Sequence, residues 1–121
     1  MDNLTEPFVE LIRRAATDLP SDVEAALRDA RDREVSGSAA GGALNTILEN
    51  VAIARQNDTP ICQDTGVPIF TVHIPRAGRE GCVSTQDLRD QIEAAVVKAT
   101  EQSYLRPNAV DPVTGRNSGN N

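Results

Sequence analysis

The segment from Cys62 to Gly66 collects a thiol, an amide, a carboxylate and a hydroxyl within one short stretch. A thiolate is a suitable ligand for iron, and a neighbouring carboxylate can orient or deprotonate a hydroxyl bound to the same metal. Gly66 allows a tight bend and Pro60 precedes the group, so we predict a loop. The same residues also fit a structural loop, in which a half-buried thiol lies beside a turn-forming aspartate. Spacing alone leaves both interpretations open.

Two further side chains could take part in chemistry. Arg106 follows a predicted helix and precedes a long polar stretch that begins at Pro107. A planar guanidinium can bind a carboxylate through two parallel hydrogen bonds, although a cation at this place can equally stabilise the helix dipole. His73 is the single histidine, but it lies in a predicted strand, where a hydrogen-bonded or edge histidine is common. We leave His73 out of the predicted site.

The chain has two cysteines, Cys62 and Cys82. Its first residues include acids and no long apolar run, which argues against a secretory signal, so we expect a cytoplasmic chain with reduced thiols. Two thiols are too few for a complete zinc or iron–sulfur site, which usually takes about three or four protein ligands. Further ligands would have to come from elsewhere.

Three motifs resemble those of a known enzyme family. Pro60–Gly66 is similar to the signature loop of the class I fumarate hydratase and L-tartrate dehydratase α-chain family, and Leu105-Arg106 and Asn117–Asn120 resemble its next two landmarks in the same order. The resemblance extends over most of the chain. It implies an α/β fold and a reversible hydro-lyase acting on a small dicarboxylate, with a [4Fe–4S] cluster that leaves one iron open for substrate.

The resemblance also assigns roles to individual residues. Cys62 matches the first of three cluster-binding cysteines, whereas Cys82 matches neither of the others, and we expect it to be structural. Gln63 and Asp64 are implied to bind substrate, with Asp64 as a catalytic acid or base, and Arg106 to pair with a substrate carboxylate. For Asn117 and Asn120 only a loop structure is expected.

The predicted elements are mostly helical. Apolar residues recur at helical spacing after Thr5, after Ser21, from about Ala39 to Asn57, and after Ser84, which gives four amphipathic helices. Ser21 and Glu24 form the pattern of a capping box. We expect the first two helices to pack as a helical hairpin, and the low aromatic content predicts an aliphatic core.

One strong strand is predicted from Val67 to Ile74, with a second short strand at Cys82-Val83. The fold class is therefore α/β or α+β, with about four helices and one to three short strands. Because a lone strand cannot satisfy its own backbone hydrogen bonds, we expect residues 1–121 to be a portion of a larger domain. The resemblance implies that this is the N-terminal portion, completed by further sequence or a β subunit.

The composition excludes several other functions. The net charge is −6 and the basic residues are not clustered, so nucleic acid is not an expected partner. No run of about 18 apolar residues occurs, so no membrane span is expected.

The main hypothesis is an oligomeric iron–sulfur hydro-lyase that would be inactive as this portion alone. The alternative is a non-catalytic folding or assembly module that binds a partner chain.

Overall fold

The computed structural model describes residues 3–73 and 84–121, and within them the chain forms four helices. These are α1 (Thr5–Thr17), α2 (Ser21–Asp32), α3 (Ala39–Asn57) and α4 (Thr85–Glu101). All four lie where the apolar periodicity predicts them. The helix-rich part of the predicted fold is thereby confirmed. None of the four has the length and apolar character needed to cross a membrane.

The helix starts follow local capping chemistry, with one correction. The Ser38 and Ser84 side chains accept the backbone N–H groups of Gly41 at 3.0 Å and Asp87 at 2.9 Å, respectively. Such caps stabilise a helix by about 1 kcal/mol. The capping box predicted for Ser21 is wrong, because Pro20 is the N-cap residue and Ser21 is already helical. The fixed φ of proline suits the start of a helix without a side-chain cap.

The helices pack in a different pairing from the predicted hairpin. α1 packs mainly on α4, and α2 packs on α3. The core explains this pairing: Val9 and Ile12 of α1 are covered by Ala95 and Ala99 of α4, and by Leu105 beyond it. Alanines on α4 allow the two helices to approach closely. The core is aliphatic, as the composition predicts, with Phe8, Phe70 and Tyr104 at its edge.

The predicted strands are not confirmed. Residues 67–73 form no strand, and the only β pairing within the described ranges is an isolated antiparallel bridge between Val110 and Asn117. Cys82-Val83 lies outside the described residues. The physical reason is that β structure needs a partner strand, and residues 67–73 meet a helix instead. The Phe70 ring contacts the Phe8 ring of α1 edge to face, with centroids 5.6 Å apart.

Candidate active site

The candidate loop begins where α3 ends. Asp58 adopts a left-handed conformation with φ 51°, which stops the helix, and the N–H of Thr59 donates to the Ala54 carbonyl at 3.0 Å. The Asp58 carboxylate pairs with the guanidinium of Arg13 on α1. The chain is therefore turned from α3 toward α1 at the entrance of the loop.

Ile61, the residue before Cys62, is held between two helices. Its N–H donates to the carbonyl of Ala16 on α1 at 3.0 Å. Its carbonyl accepts the side-chain amide of Asn50 on α3 at 2.7 Å. Both backbone groups are thus satisfied by helices, and the start of the predicted signature loop is fixed in place.

The three residues predicted to carry the chemistry follow directly and all face solvent. Cys62 is a free, exposed thiol, and Gln63 and Asp64 are exposed beside it. Asp64 Oδ1 accepts the N–H of Gly66 at 3.1 Å, and Gly66 has a φ of +65°. A side chain other than hydrogen is strained at that φ, so the glycine permits the turn that displays Asp64. The predicted tight loop is confirmed.

The end of the loop contacts the segment that follows α4. Thr65 Oγ1 accepts the backbone N–H of Arg106 at 3.1 Å, between residues 41 apart in sequence. Asn108 Nδ2 donates to the Gly66 carbonyl at 3.3 Å. Arg106 is itself exposed and follows Leu105, which is buried in the core. The structure therefore brings the backbone of Arg106 next to Thr65, at the end of the loop that begins at Cys62.

Asn121 strengthens this junction. Its Nδ2 lies 3.3 Å from Thr65 Oγ1, 2.9 Å from the Gly66 carbonyl oxygen, 3.1 Å from the Arg106 carbonyl oxygen and 2.9 Å from Asn108 Oδ1. One amide group thus lies among acceptors from both segments. Sequence reasoning assigned no role to Thr65, Asn108 or Asn121. The available signal was their position. Thr65 lies within Pro60–Gly66, Asn108 lies two residues after Arg106, and Asn121 directly follows Asn117–Asn120.

The polar stretch after Pro107 has a defined loop structure. The Ala109 N–H donates to the Asn120 carbonyl at 2.9 Å, and the Ser118 N–H donates to the Ala109 carbonyl at 2.9 Å. The Asn117 side-chain amide donates to the Pro107 carbonyl. Hydrogen bonds from the Thr114 and Val113 N–H groups lower the pKa of Asp111 at the tip. The loop role expected for Asn117 and Asn120 agrees with these contacts.

An ion-pair cluster lies on α1 close to the loop entrance. Glu10 accepts hydrogen bonds from Arg13 at 2.7 Å and from Arg14 at 2.6 Å. These two bonds lower the pKa of Glu10 to about 2, and the bond from Arg13 has the larger effect. Arg13 also pairs with Asp58, so its guanidinium connects α1 to the end of α3.

An iron–sulfur cluster needs several thiolate donors held close together. Within residues 3–73 and 84–121, no group of three His, Cys, Asp or Glu side chains is arranged to hold a metal. Cys62 alone offers an exposed thiol at the predicted place, which suits one corner of a cluster. Cys82 lies outside the described residues. His73 is exposed, and we assign it no part in the site.

An apolar groove of about 360 Å³ runs between α1 and residues 65–72. Several of its lining side chains are largely exposed: Leu11 at 55%, Val67 at 77% and Ile69 at 90%. Exposed apolar side chains that adjoin one another are typical of contact surfaces between proteins or domains. The groove adjoins the candidate site at Thr65, which lines it.

Comparison with known proteins gives consistent matches. Residues 5–121 match the family described as Fumarate hydratase (Fumerase). The chain is 40% identical over 121 residues to the protein named "Putative fumarate hydratase class I" of Geobacillus stearothermophilus, covering all of this chain and 23% of that protein. It is 30% identical over 125 residues to the L(+)-tartrate dehydratase subunit alpha of Escherichia coli K12, covering 38% of that subunit.

A third relative extends the match to an archaeon. The protein named "Putative L(+)-tartrate dehydratase subunit alpha" of Methanocaldococcus jannaschii is 40% identical over 114 residues, which cover 94% of this chain and 39% of that protein. The chain therefore spans between 23% and 39% of the length of these relatives.

Proposed function

Since this chain belongs to the fumarate hydratase (Fumerase) family, we propose that it forms part of a hydro-lyase that adds water to or removes it from a small dicarboxylate. The substrate class is that of fumarate and malate, or of tartrate. The observation that carries the proposal is the junction of Thr65 with Arg106, because it joins the backbone of Arg106 to the loop that displays Cys62, Gln63 and Asp64.

Each exposed side chain has a role in this proposal. The Arg106 guanidinium binds one substrate carboxylate through paired hydrogen bonds, and the Gln63 amide donates to or accepts from the substrate's polar groups. Asp64 Oδ1 is engaged by Gly66, so Oδ2 is the atom we assign to holding the proton of the substrate hydroxyl. The base that removes the proton from carbon is not assigned to any residue of this chain.

The cofactor is part of the proposal. Cys62 would supply one thiolate ligand to a [4Fe–4S] cluster, and the other ligands would come from outside the described residues. When bound, such a cluster supplies a Lewis acid that polarises a hydroxyl or carboxylate oxygen. The reduced state that such a thiolate needs is consistent with a cytoplasmic location, which we include in the proposal.

The site would be completed by further polypeptide. Two of the relatives are named alpha subunits, and all three are much longer than this chain. We therefore include in the proposal that residues 1–121 act as the N-terminal portion of a larger catalytic domain, in an oligomer with a second subunit or domain. In this portion alone, a single predicted cluster ligand is described, so we expect it to lack activity when isolated.

A second candidate function is favoured by the apolar groove. Exposed Leu11, Val67 and Ile69 would suit a non-catalytic assembly module that binds a partner chain. This function makes no use of Gln63, Asp64 or Arg106. If the chain is part of a hydro-lyase, substitution of those side chains changes the activity. If it is an assembly module, the substitutions affect nothing other than binding of the partner.

The test is anaerobic reconstitution with iron and sulfide of the protein that contains this chain, together with its partner subunit if one copurifies. Visible absorption reports the cluster, and dehydration of malate and of tartrate reports activity. A cluster with activity on either acid supports the hydro-lyase. A folded complex that binds its partner, but has neither a cluster nor activity, would refute the hydro-lyase and favour the assembly module.

A further inference from the structure

Thr65 links two parts of the candidate site that are distant in sequence. Its Oγ1 accepts the Arg106 N–H at 3.1 Å, and the Asn121 Nδ2 lies 3.3 Å from the same oxygen. Thr65 follows Asp64 directly and is partly buried, whereas Asp64 and Arg106 are both exposed. The hydroxyl oxygen is therefore a junction between the loop and the segment that carries Arg106.

The geometry restricts where Arg106 can lie relative to the loop. The bond is made to the backbone N–H of Arg106, so it fixes the position of the main chain and does not itself engage the guanidinium. A threonine has a restricted χ1, because two heavy atoms branch at Cβ, and this limits the directions in which Oγ1 can point. The neighbouring bond from Asn108 to the Gly66 carbonyl, at 3.3 Å, runs between the same two segments.

We propose that Thr65 is a positioning residue of the candidate site: its hydroxyl oxygen holds the backbone of Arg106 at a set distance from Asp64, so that both side chains reach one dicarboxylate. The inference deepens the proposed function and rests on it. Thr65 acts through Arg106 and does not contact the substrate. Displacement of a binding group by about 1 Å can lower catalytic efficiency roughly 100-fold.

The experiment compares Thr65→Val, which keeps the branched shape but removes the acceptor, with Thr65→Ser, which keeps the acceptor. Both are made in the protein that contains this chain, reconstituted as above. Thr65→Val is expected to lower kcat/KM for malate or tartrate by about 10-fold to 100-fold, mainly through KM, with unchanged cluster absorption. Thr65→Ser is expected to remain within about threefold of the wild type.

A double-mutant cycle separates positioning from general stability. If Thr65 acts through Arg106, Thr65→Val is expected to cost much less in an Arg106→Ala background than in the wild type. Amide hydrogen exchange at Arg106 is expected to be faster in Thr65→Val and unchanged in Thr65→Ser. Thr65→Ala replaces Thr65→Val if the latter does not fold, because it removes the acceptor without adding a methyl group at its position.

The outcomes distinguish this inference from the proposed function. An active wild type with an equally active Thr65→Val variant would overturn the positioning role alone. Equal losses in Thr65→Val and Thr65→Ser, or full additivity with Arg106→Ala, would also overturn it. A folded wild type that acts on no dicarboxylate would overturn the proposed function, and the positioning role with it.

Discussion

The backbone N–H of Arg106 lies 3.1 Å from Thr65 Oγ1, a contact between residues 41 apart in sequence. It joins the chain beyond α4 to the loop that follows α3. The four residues for which the sequence predicts chemistry, Cys62, Gln63, Asp64 and Arg106, thus lie on two segments that are hydrogen-bonded to each other. The consequences can be tested one side chain at a time.

Replacing Cys62 by serine is expected to abolish the cluster absorption and reduce hydro-lyase activity to background, because a hydroxyl is a poor substitute for an iron-binding thiolate. Cys62 is exposed, so the free energy of unfolding should change by no more than about 0.5 kcal/mol. Iron content and visible absorption after anaerobic reconstitution measure the effect. Cys82→Ser is the matched control and should keep the cluster. Loss of the cluster in Cys82→Ser but not in Cys62→Ser would contradict the assignment of Cys62 as a cluster ligand.

The Asp64→Asn variant keeps an oxygen that can accept the Gly66 N–H but removes the negative charge. If Asp64 handles a substrate proton, kcat should fall roughly 100-fold to 10,000-fold while the loop is preserved. Steady-state kinetics over a range of pH measure this loss. A variant with normal kcat and an unaltered pH profile would show that Asp64 only shapes the turn.

An Arg106→Lys substitution retains the charge but loses the planar pair of donors. We expect KM for a dicarboxylate to rise about 10-fold to 100-fold, since hydrogen bonds to charged groups contribute about 1.5–3 kcal/mol each. The comparison is with Arg116→Lys, which changes an exposed arginine in the polar loop. Equal KM values for the two variants would argue against carboxylate binding by Arg106.

The ion-pair cluster on α1 predicts a pH dependence of stability. The pKa of Glu10 is about 2 in the folded chain against an ordinary value of 4.5, so the folded state binds fewer protons between these two pH values. Its contribution to stability is complete above about pH 4.5 and is lost as the pH falls toward about 2. Because Glu10 is solvent-exposed, the contribution is small and sensitive to salt.

Urea unfolding of Glu10→Gln at a series of pH values checks this prediction. The variant should be slightly less stable than the wild type near neutral pH, and the two curves should converge as the pH approaches about 2. Glu49→Gln, at an exposed position of α3, is the control substitution. A difference between Glu10→Gln and the wild type that stays constant down to low pH would contradict the assigned cause.

The sequence predicts individual helices better than their packing. The four apolar stripes are local features, and all of them are found as helices in the structure. The pairing of α1 with α4 depends on Ala95 and Ala99, whose small size becomes informative only when the opposing face is known. The apolar pattern of each helix therefore could not distinguish the pairing of α1 with α4 from the predicted hairpin of α1 with α2.

The candidate site shows the same limit. Residues Cys62–Asp64 could be selected by their types and by family resemblance, because they are contiguous. The residues that hold the loop could not, because Asn50, Thr65 and Asn121 act through long-range contacts with backbone groups. The strand predicted over residues 67–74 also depended on a distant partner. Its apolar side chains instead face α1, α4 or solvent over the described part, residues 67–73.

Ile61 is held by Ala16 and Asn50 on one side of the exposed triplet, and Thr65 is held by Arg106 on the other. The segment Cys62–Asp64 is therefore a span with both ends anchored. A short chain with fixed ends has few conformations to lose, so most of the entropy cost of ordering it falls on folding. A ligand that bound at Cys62, Gln63 and Asp64 would meet a preorganised surface, and its binding free energy would not be spent on ordering the backbone.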